Sequence, residues 1–293
     1  RRSALSQAAV ILIAGAPLDF RMGYGQRFNS SAKTIQIDSD LTELGRNRNI
    51  DIQIGSNIKT ALTSITQQIK KKKGNLTTDW IAFLRSEEEK VINQRAEFIV
   101  SNSTPIHPLR LCQEIANFVD EKTIVVGDGG DIVGLASQLL PINHPGQWYD
   151  PGPLGTLGVG TGFCLALSSV YPEKRILMVN GDGTFGLNGF EFDSFVRFGM
   201  PIVSVIGNDN QWGQITVGQK AMYGKDRIVA SLLGENARYD QVVTALGGYG
   251  EIVTDPSEIQ PALERAFACG KPSCLNVIID SEPPGVRGGY DFM

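Results

Sequence analysis

Asp182 and Asn208 stand 26 positions apart, each at the end of an apolar run. Asp182 follows Ile176-Leu177-Met178-Val179-Asn180-Gly181, and Asn208 follows Ile202-Val203-Ser204-Val205-Ile206-Gly207. An aspartate offers a hard anionic oxygen and an asparagine a neutral one. Together with a backbone carbonyl they suit a magnesium ion that bridges to phosphate oxygens. Strands joined by one crossover are often neighbours, and this spacing is about what strand, helix and strand require, so both side chains can meet one cation. Glycines recur at the same points, in 127–131 (Gly-Asp-Gly-Gly-Asp), 181–184 (Gly-Asp-Gly-Thr), 207–210 (Gly-Asn-Asp-Asn) and 151–158 (Pro-Gly-Pro-Leu-Gly-Thr-Leu-Gly). Glycine lets a backbone approach a ligand closely, and helix amino termini offer free N–H groups to an anion. Singly, each segment is an ordinary turn; the combination points to a site beyond the carboxyl ends of parallel strands.

The elements that must position these residues follow a strand–helix rhythm. The patterns predict helices over 109–119, 157–169, 189–197, 237–246 and 258–269. They predict strands over 123–126, 175–179, 201–206, 250–253 and 274–280. Gly158, Gly160 and Gly162 are expected to allow close packing of the second of these helices. Upstream, 9–14 reads as a fully apolar strand covered on both faces and ended by Gly15. Residues 34–38 read as a second strand, ending on Asp38. Residues 58–69 carry apolar residues at helical spacing and run into Lys70-Lys71-Lys72-Lys73-Gly74, either a basic binding patch or a solvated helix end. A polar helix around 80–96 precedes a shift of composition near 100. The expected fold class is α/β, with two doubly wound parallel-sheet domains over 1–74 and 105–293 and a helix-bearing linker over 75–104.

Composition narrows the function classes. Forty-two per cent of the 293 residues are hydrophobic, enough for a sizeable core. The net charge of −4 argues against a nucleic-acid scaffold or a polybasic membrane binder. The longest apolar stretch, 8–18, is shorter than the ~20 residues of a membrane span. No signal peptide is evident, the final residues are not a peroxisomal tripeptide, and a cytoplasmic location is expected. The chain begins Arg1-Arg2 without a methionine, as a fragment or trimmed chain would. Cys112, Cys164, Cys269 and Cys274 form no C-x-x-C, and with two histidines in the chain they are expected to be buried thiols in a reducing compartment rather than zinc ligands.

Gly181-Asp182-Gly183 followed by Asn208 resembles the diphosphate-binding signature of thiamine-diphosphate-dependent enzymes. The stretch Trp148-Tyr149-Asp150-Pro151-Gly152-Pro153-Leu154-Gly155-Thr156-Leu157-Gly158, the run Asn208-Asp209-Asn210-Gln211-Trp212-Gly213-Gln214 and Ala237-Arg238-Tyr239-Asp240 narrow the likeness to the acetolactate-synthase-like branch, closest to 2-hydroxyacyl-CoA lyases. The likeness is tight over 105–280 and looser over 1–70.

The resemblance implies that Asp182, the Asn208 side chain and the Asn210 carbonyl bind Mg²⁺. It implies that N–H groups at Gly183 and Thr184, with Gly181 and the Gly129-Gly130 turn, hold the diphosphate of thiamine diphosphate. Leu157 would wedge under the cofactor, beside Thr156, and the Gly155 carbonyl would accept a hydrogen bond from its aminopyrimidine. Trp212 and Gln214 would face the substrate, an acyl-CoA or 2-oxo acid; packing under the loop is the alternative for Trp212. Residues 1–74 would be part of the middle, Rossmann-like domain, which in relatives can hold an adenine nucleotide, CoA or FAD, with Asp38 either a ribose-binding carboxylate or a plain strand end.

The glutamate that activates the aminopyrimidine comes from an amino-terminal domain in this family, and no glutamate here is assigned that role; Glu191 is expected to be structural. The full-length protein is expected to be a homodimer or homotetramer. The chain alone is expected to bind the cofactor weakly or not at all and to turn over nothing. The alternatives are acetolactate-type carboligation and an inactive binding fragment.

Overall fold

The structure, a computed structural model, describes residues 2–70, 78–235 and 237–286. They fall into two compact units that divide between Asn93 and Gln94.

The first unit holds α1 (Arg2–Gln7), β1 (Val10–Ala14), β2 (Lys33–Asp38), β3 (Ile52–Gly55), α2 (Ile58–Lys70) and most of α3 (Thr78–Arg95). Its three strands are parallel in the order β1-β2-β3, with Leu12 opposite Ile35 and Ile35 opposite Ile52. The third strand was not foreseen. Alternate residues of a strand face opposite sides. Ile11 and Ile13 enter a core with Leu18 and Phe28, whereas Val10 and Leu12 on the other face are 59% and 46% exposed. The expectation that β1 is covered on both faces therefore fails: that face is deeply buried only at its far end, at Ile37. Asp38 ends β2 as expected, its carboxylate accepting the Asp40 N–H at 3.0 Å. Lys71, Lys72, Lys73 and Gly74 lie outside the described residues.

The second unit runs α4 (Pro108–Phe118), β4 (Thr123–Asp128), α5 (Asp131–Leu139), β5 (Trp148–Tyr149), α6 (Gly160–Val170), β6 (Arg175–Gly181), α7 (Asp182–Asn188), α8 (Phe192–Arg197), β7 (Val203–Asn208), α9 (Gly213–Tyr223), α10 (Tyr239–Ala245), β8 (Tyr249–Val253), α11 (Ile259–Ala268) and β9 (Ser273–Ile278). The strands form one parallel sheet in the order β5-β4-β6-β7-β9-β8. Val125 and Leu177 enter a core with Leu111, Ile115 and Leu263; their neighbours Val126 and Met178 enter another with Phe192 and Phe195. Both faces of this sheet are covered, and the doubly wound α/β class holds.

In this unit the start of α6, one of its glycines and one cysteine depart from the sequence reading. Helix α6 starts at Gly160 rather than at 157, because the Asp128 carboxylate at the tip of β4 accepts the N–H groups of Gly158 at 3.0 Å and Gly160 at 2.6 Å and fixes the approach segment. Of the three glycines expected to pack closely there, a side chain at Gly160 would strike Asp128 and one at Gly158 would crowd Leu187, but Gly162 has nothing within 4 Å. Cys269 is exposed, while Cys112, Cys164 and Cys274 are buried free thiols; burial pushes the Cys112 thiol up to about 12. Among the described residues no helix is long and apolar enough to cross a membrane.

Candidate functional site

In a parallel sheet every strand ends on the same side. Pairing of Asp128 with Asn180 and of Gly181 with Gly207 brings the tips of β4, β6 and β7 side by side. A cleft of about 500 Å³ opens beyond them. All four glycine-bearing segments singled out in the sequence contribute to its wall: Gly129 and Gly130, Gly155 and Leu157, Gly181 to Thr184, and Gly207 with Asp209. Thr156 is exposed and does not line the cleft.

Asp182 begins α7 and is almost fully buried. Its Oδ1 accepts the Gly183 N–H at 2.7 Å. The N–H groups of Asn210 and Gln211 also face the carboxylate, yet Oδ2 is buried with no partner. Asn208 ends β7, and its Oδ1 accepts the Asn210 N–H at 3.1 Å. The two side chains anticipated to share a ligand thus turn toward one stretch of backbone. Asn210 adopts a left-handed conformation with φ 58°, and its side-chain Oδ1 is likewise buried without a partner. Its backbone carbonyl accepts the Leu233 N–H at 2.8 Å, so the unpartnered oxygen of this residue is on the side chain. Among the described residues, Asp182 Oδ2 and Asn210 Oδ1 are the buried side-chain polar atoms left without a hydrogen bond.

Buried polar atoms are normally satisfied, and the two exceptions stand on Asp182 and on Asn210, the residue whose N–H faces the Asp182 carboxylate. The electrostatics agree. Burial pushes Asp182 up to about 6 against the N–H groups that favour its charge. Burial, then the charge of Asp182, pushes Asp209 up to about 7. Two carboxylates held in a medium that penalises their charge make a place for a hard cation with oxygen ligands. Among the described residues no three His, Cys, Asp or Glu side chains form a metal cage, so a cation here would draw on amide and carbonyl oxygens beside Asp182.

Close approach dictates glycine in the surrounding wall. A Cβ on Gly183 would lie 2.9 Å from the Trp212 ring, and one on Gly130 would lie 2.8 Å from Gln214. Trp212 and Gln214 therefore pack on glycine backbone and also line the cleft. A Cβ on Gly213 would come within 3.0 Å of carboxylate oxygens of both Asp131 and Asp209. Glu191 is not part of the cleft; its Oε2 accepts the Ser194 hydroxyl at 2.9 Å.

Sequence reasoning passed over five charged residues of the wall: Asp131, Asp209, Lys220, Asp280 and Glu282. Asp131 and Asp209 lie inside the quoted strand-end segments, where a count of carboxylates would have found them. Lys220 and Glu282 pair with one another across 62 positions, and no local pattern announces that.

In open parallel sheets ligands bind beyond the carboxyl ends of the strands, where this cleft lies. Residues 128–277 match the thiamine pyrophosphate enzyme, C-terminal TPP binding domain, and residues 1–65 match the thiamine pyrophosphate enzyme, central domain. The chain belongs to the thiamine pyrophosphate enzyme family. It is 38% identical to the acetolactate synthase large subunit IlvG of Mycobacterium tuberculosis over 96% of this chain and 50% of that protein. Against 2-hydroxyacyl-CoA lyase 2 it is 31% identical for the Caenorhabditis elegans protein and 33% for that of Bos taurus, each over 95% of this chain and 45% of the relative. The chain spans about half the length of the curated relatives it matches.

Proposed function

We propose that this chain carries the cation- and diphosphate-holding part of a thiamine-diphosphate-dependent carbon–carbon lyase or carboligase, acting by cleavage of a 2-hydroxyacyl-CoA to formyl-CoA and an aldehyde. The observation that carries it is the pair of orphaned buried oxygens, Asp182 Oδ2 and Asn210 Oδ1, beside the Asn208 amide. Their hard-donor chemistry fits Mg²⁺. Asp182, Asn208 and Asn210 would hold the ion. The backbone of Gly181, Gly183 and Thr184, with Gly129 and Gly130, would hold the diphosphate. Thiamine diphosphate, when bound, supplies a carbon nucleophile and an electron sink for the bond beside a carbonyl.

The residues present do the rest by position. Gly155 and Leu157 also line the cleft, and the Gly155 carbonyl and the Leu157 side chain would orient the cofactor's other end. Trp212 and Gln214, held on Gly183 and Gly130, would bound the substrate. The apolar side chains of Leu135, Ile215 and Val217 give the same cleft a surface that accepts an acyl chain and excludes water. A second reading, acetolactate-type carboligation of 2-oxo acids, is favoured by the higher identity to the mycobacterial synthase.

Calorimetric titration of the full chain with thiamine diphosphate, with and without Mg²⁺, tests the site. Weak binding that requires Mg²⁺ and is lost in Asp182→Ala is expected; binding indifferent to both overturns the assignment. Formyl-CoA from a 2-hydroxyacyl-CoA, against acetolactate from pyruvate, separates the two reactions.

A further inference from the structure

Asn276 lies in the middle of β9, fully buried, diagonal to Asn208 on β7, since it stands opposite Ile206 in the sheet register. The two ends of an amide are told apart by their partners. Asn276 Nδ2 lies 3.1 Å from the Ala237 carbonyl oxygen and 3.3 Å from Asp240 Oδ1, and both groups can only accept. Asn276 Oδ1 must then face the other way, where it accepts Asn208 Nδ2 at 3.0 Å. That contact leaves Asn208 one choice: its own Oδ1 turns to the 208–211 backbone and the Asp182 side of the cluster. Asp240 is fixed in turn by Arg238, whose Nε and terminal nitrogen reach the two carboxylate oxygens at 2.9 and 2.6 Å.

We propose that Asn276, oriented by Asp240 and the Ala237 carbonyl, is a positioning residue that presents the Asn208 oxygen, rather than its nitrogen, to a divalent cation. This rests on the reading of Asn208 as a cation ligand. A nitrogen turned to the ion would put N–H donors where an electron pair is needed, so the direction of one buried hydrogen bond decides whether the site can form. Asn208, Asn276 and Asp240 all lie behind the residues that line the cleft, and the effect of Asn276 runs only through Asn208.

The test is Mn²⁺ binding to the full chain in the presence of thiamine diphosphate, read by electron paramagnetic resonance of the free ion and titrated into the millimolar range. Asn276→Leu keeps the volume, removes the acceptor and is expected to weaken Mn²⁺ by about 10–100-fold, the range for loss of an outer-sphere partner of a metal ligand. The melting temperature of the metal-free protein serves as the fold control. The double exchange Asp240→Asn with Asn276→Asp reverses the donor and acceptor between these two positions and preserves the acceptor facing Asn208, at the loss of the donor to the Ala237 carbonyl, and it is expected to recover part of the affinity. A merely structural role predicts no such rescue. Wild-type affinity in Asn276→Leu overturns the proposal. Should that variant fail to fold, Asn276→Ala decides, because it too removes the acceptor facing Asn208 Nδ2: weaker Mn²⁺ binding supports the role and unchanged binding overturns it. Asn208→Ala separates the levels. If it loses Mn²⁺ while Asn276→Leu does not, only the positioning role falls; if it too binds normally, the cation site falls with it.

Discussion

Asp182 and Asn208 close on the same backbone group: the Asn210 N–H donates to Asn208 Oδ1 at 3.1 Å and faces the Asp182 carboxylate. One stands at the start of α7 and the other at the end of β7, and the parallel pairing of β6 with β7 brings them together. The convergence puts a carboxylate and an amide oxygen on one side of the sheet.

Asp182→Asn separates stability from binding. The wild-type Oδ2 is a buried acceptor without a partner, and its charge is opposed by burial. Replacing it by a neutral isostere is expected to leave the metal-free chain as stable as wild type or more stable by about 1–3 kcal/mol. Mg²⁺-dependent affinity for thiamine diphosphate is expected to fall by at least about 10–100-fold. Urea unfolding and calorimetry measure the two effects, and a variant that binds normally but unfolds earlier contradicts the account.

Two glycine substitutions are expected to move in opposite directions. Gly162 is exposed within α6 with nothing within 4 Å, so Gly162→Ala is expected to gain about 0.5–1 kcal/mol. On β8, a Cβ at Gly250 would lie 1.9 Å from the Asp240 backbone oxygen, and Gly250→Ala is expected to cost about 1–3 kcal/mol or more. Thermal denaturation of the pair checks both signs.

Gly183→Ala and Gly130→Ala probe the two contacts of the wall. The first drives a methyl group into the Trp212 ring and the second into the flexible end of Gln214. Trp212 emission is expected to shift in Gly183→Ala and to stay near wild type in Gly130→Ala; equal shifts would show that the ring does not rest on Gly183.

The Arg238–Asp240 pair predicts part of the acid limb of stability. Burial raises the Asp240 carboxyl, but the hydrogen bonds from Arg238 and Asn276 outweigh it and hold the group below its ordinary value of 3.8. A carboxyl depressed in the folded state contributes stability above its unfolded value, and that contribution is lost as pH falls through the folded one. Arg238→Met is therefore expected to lower stability at neutral pH and to flatten the loss below about pH 4. Chemical unfolding across pH 2.5–7, a range set by the ordinary carboxylate values, measures this.

The legible part of the molecule was whatever two neighbouring residues of the chain could state. The apolar runs before Gly181 and Gly207 specify buried strands, and the pairing of those strands supplied the site's central contact. Helices α5, α7 and α9 were not read, because each begins in a glycine-bearing segment that looks like a turn until tertiary packing imposes a helix. The Asp128 bonds to Gly158 and Gly160 span 30 and 32 positions, and the Asn208–Asn276 bond spans 68. No periodicity encodes them. The exposed face of β1 was misread for a related reason: an apolar run states what a strand prefers to touch, not what lies against it.

Because every strand of the larger sheet runs the same way, this unit has one rim that carries the candidate site and another that does not. The turns that feed β4 and β6, at Glu121-Lys122 and Pro172-Glu173, are exposed and sit a full strand length from Asp182. They are places where a fluorophore, a tether or an inserted tag can be carried a strand's length from the candidate site.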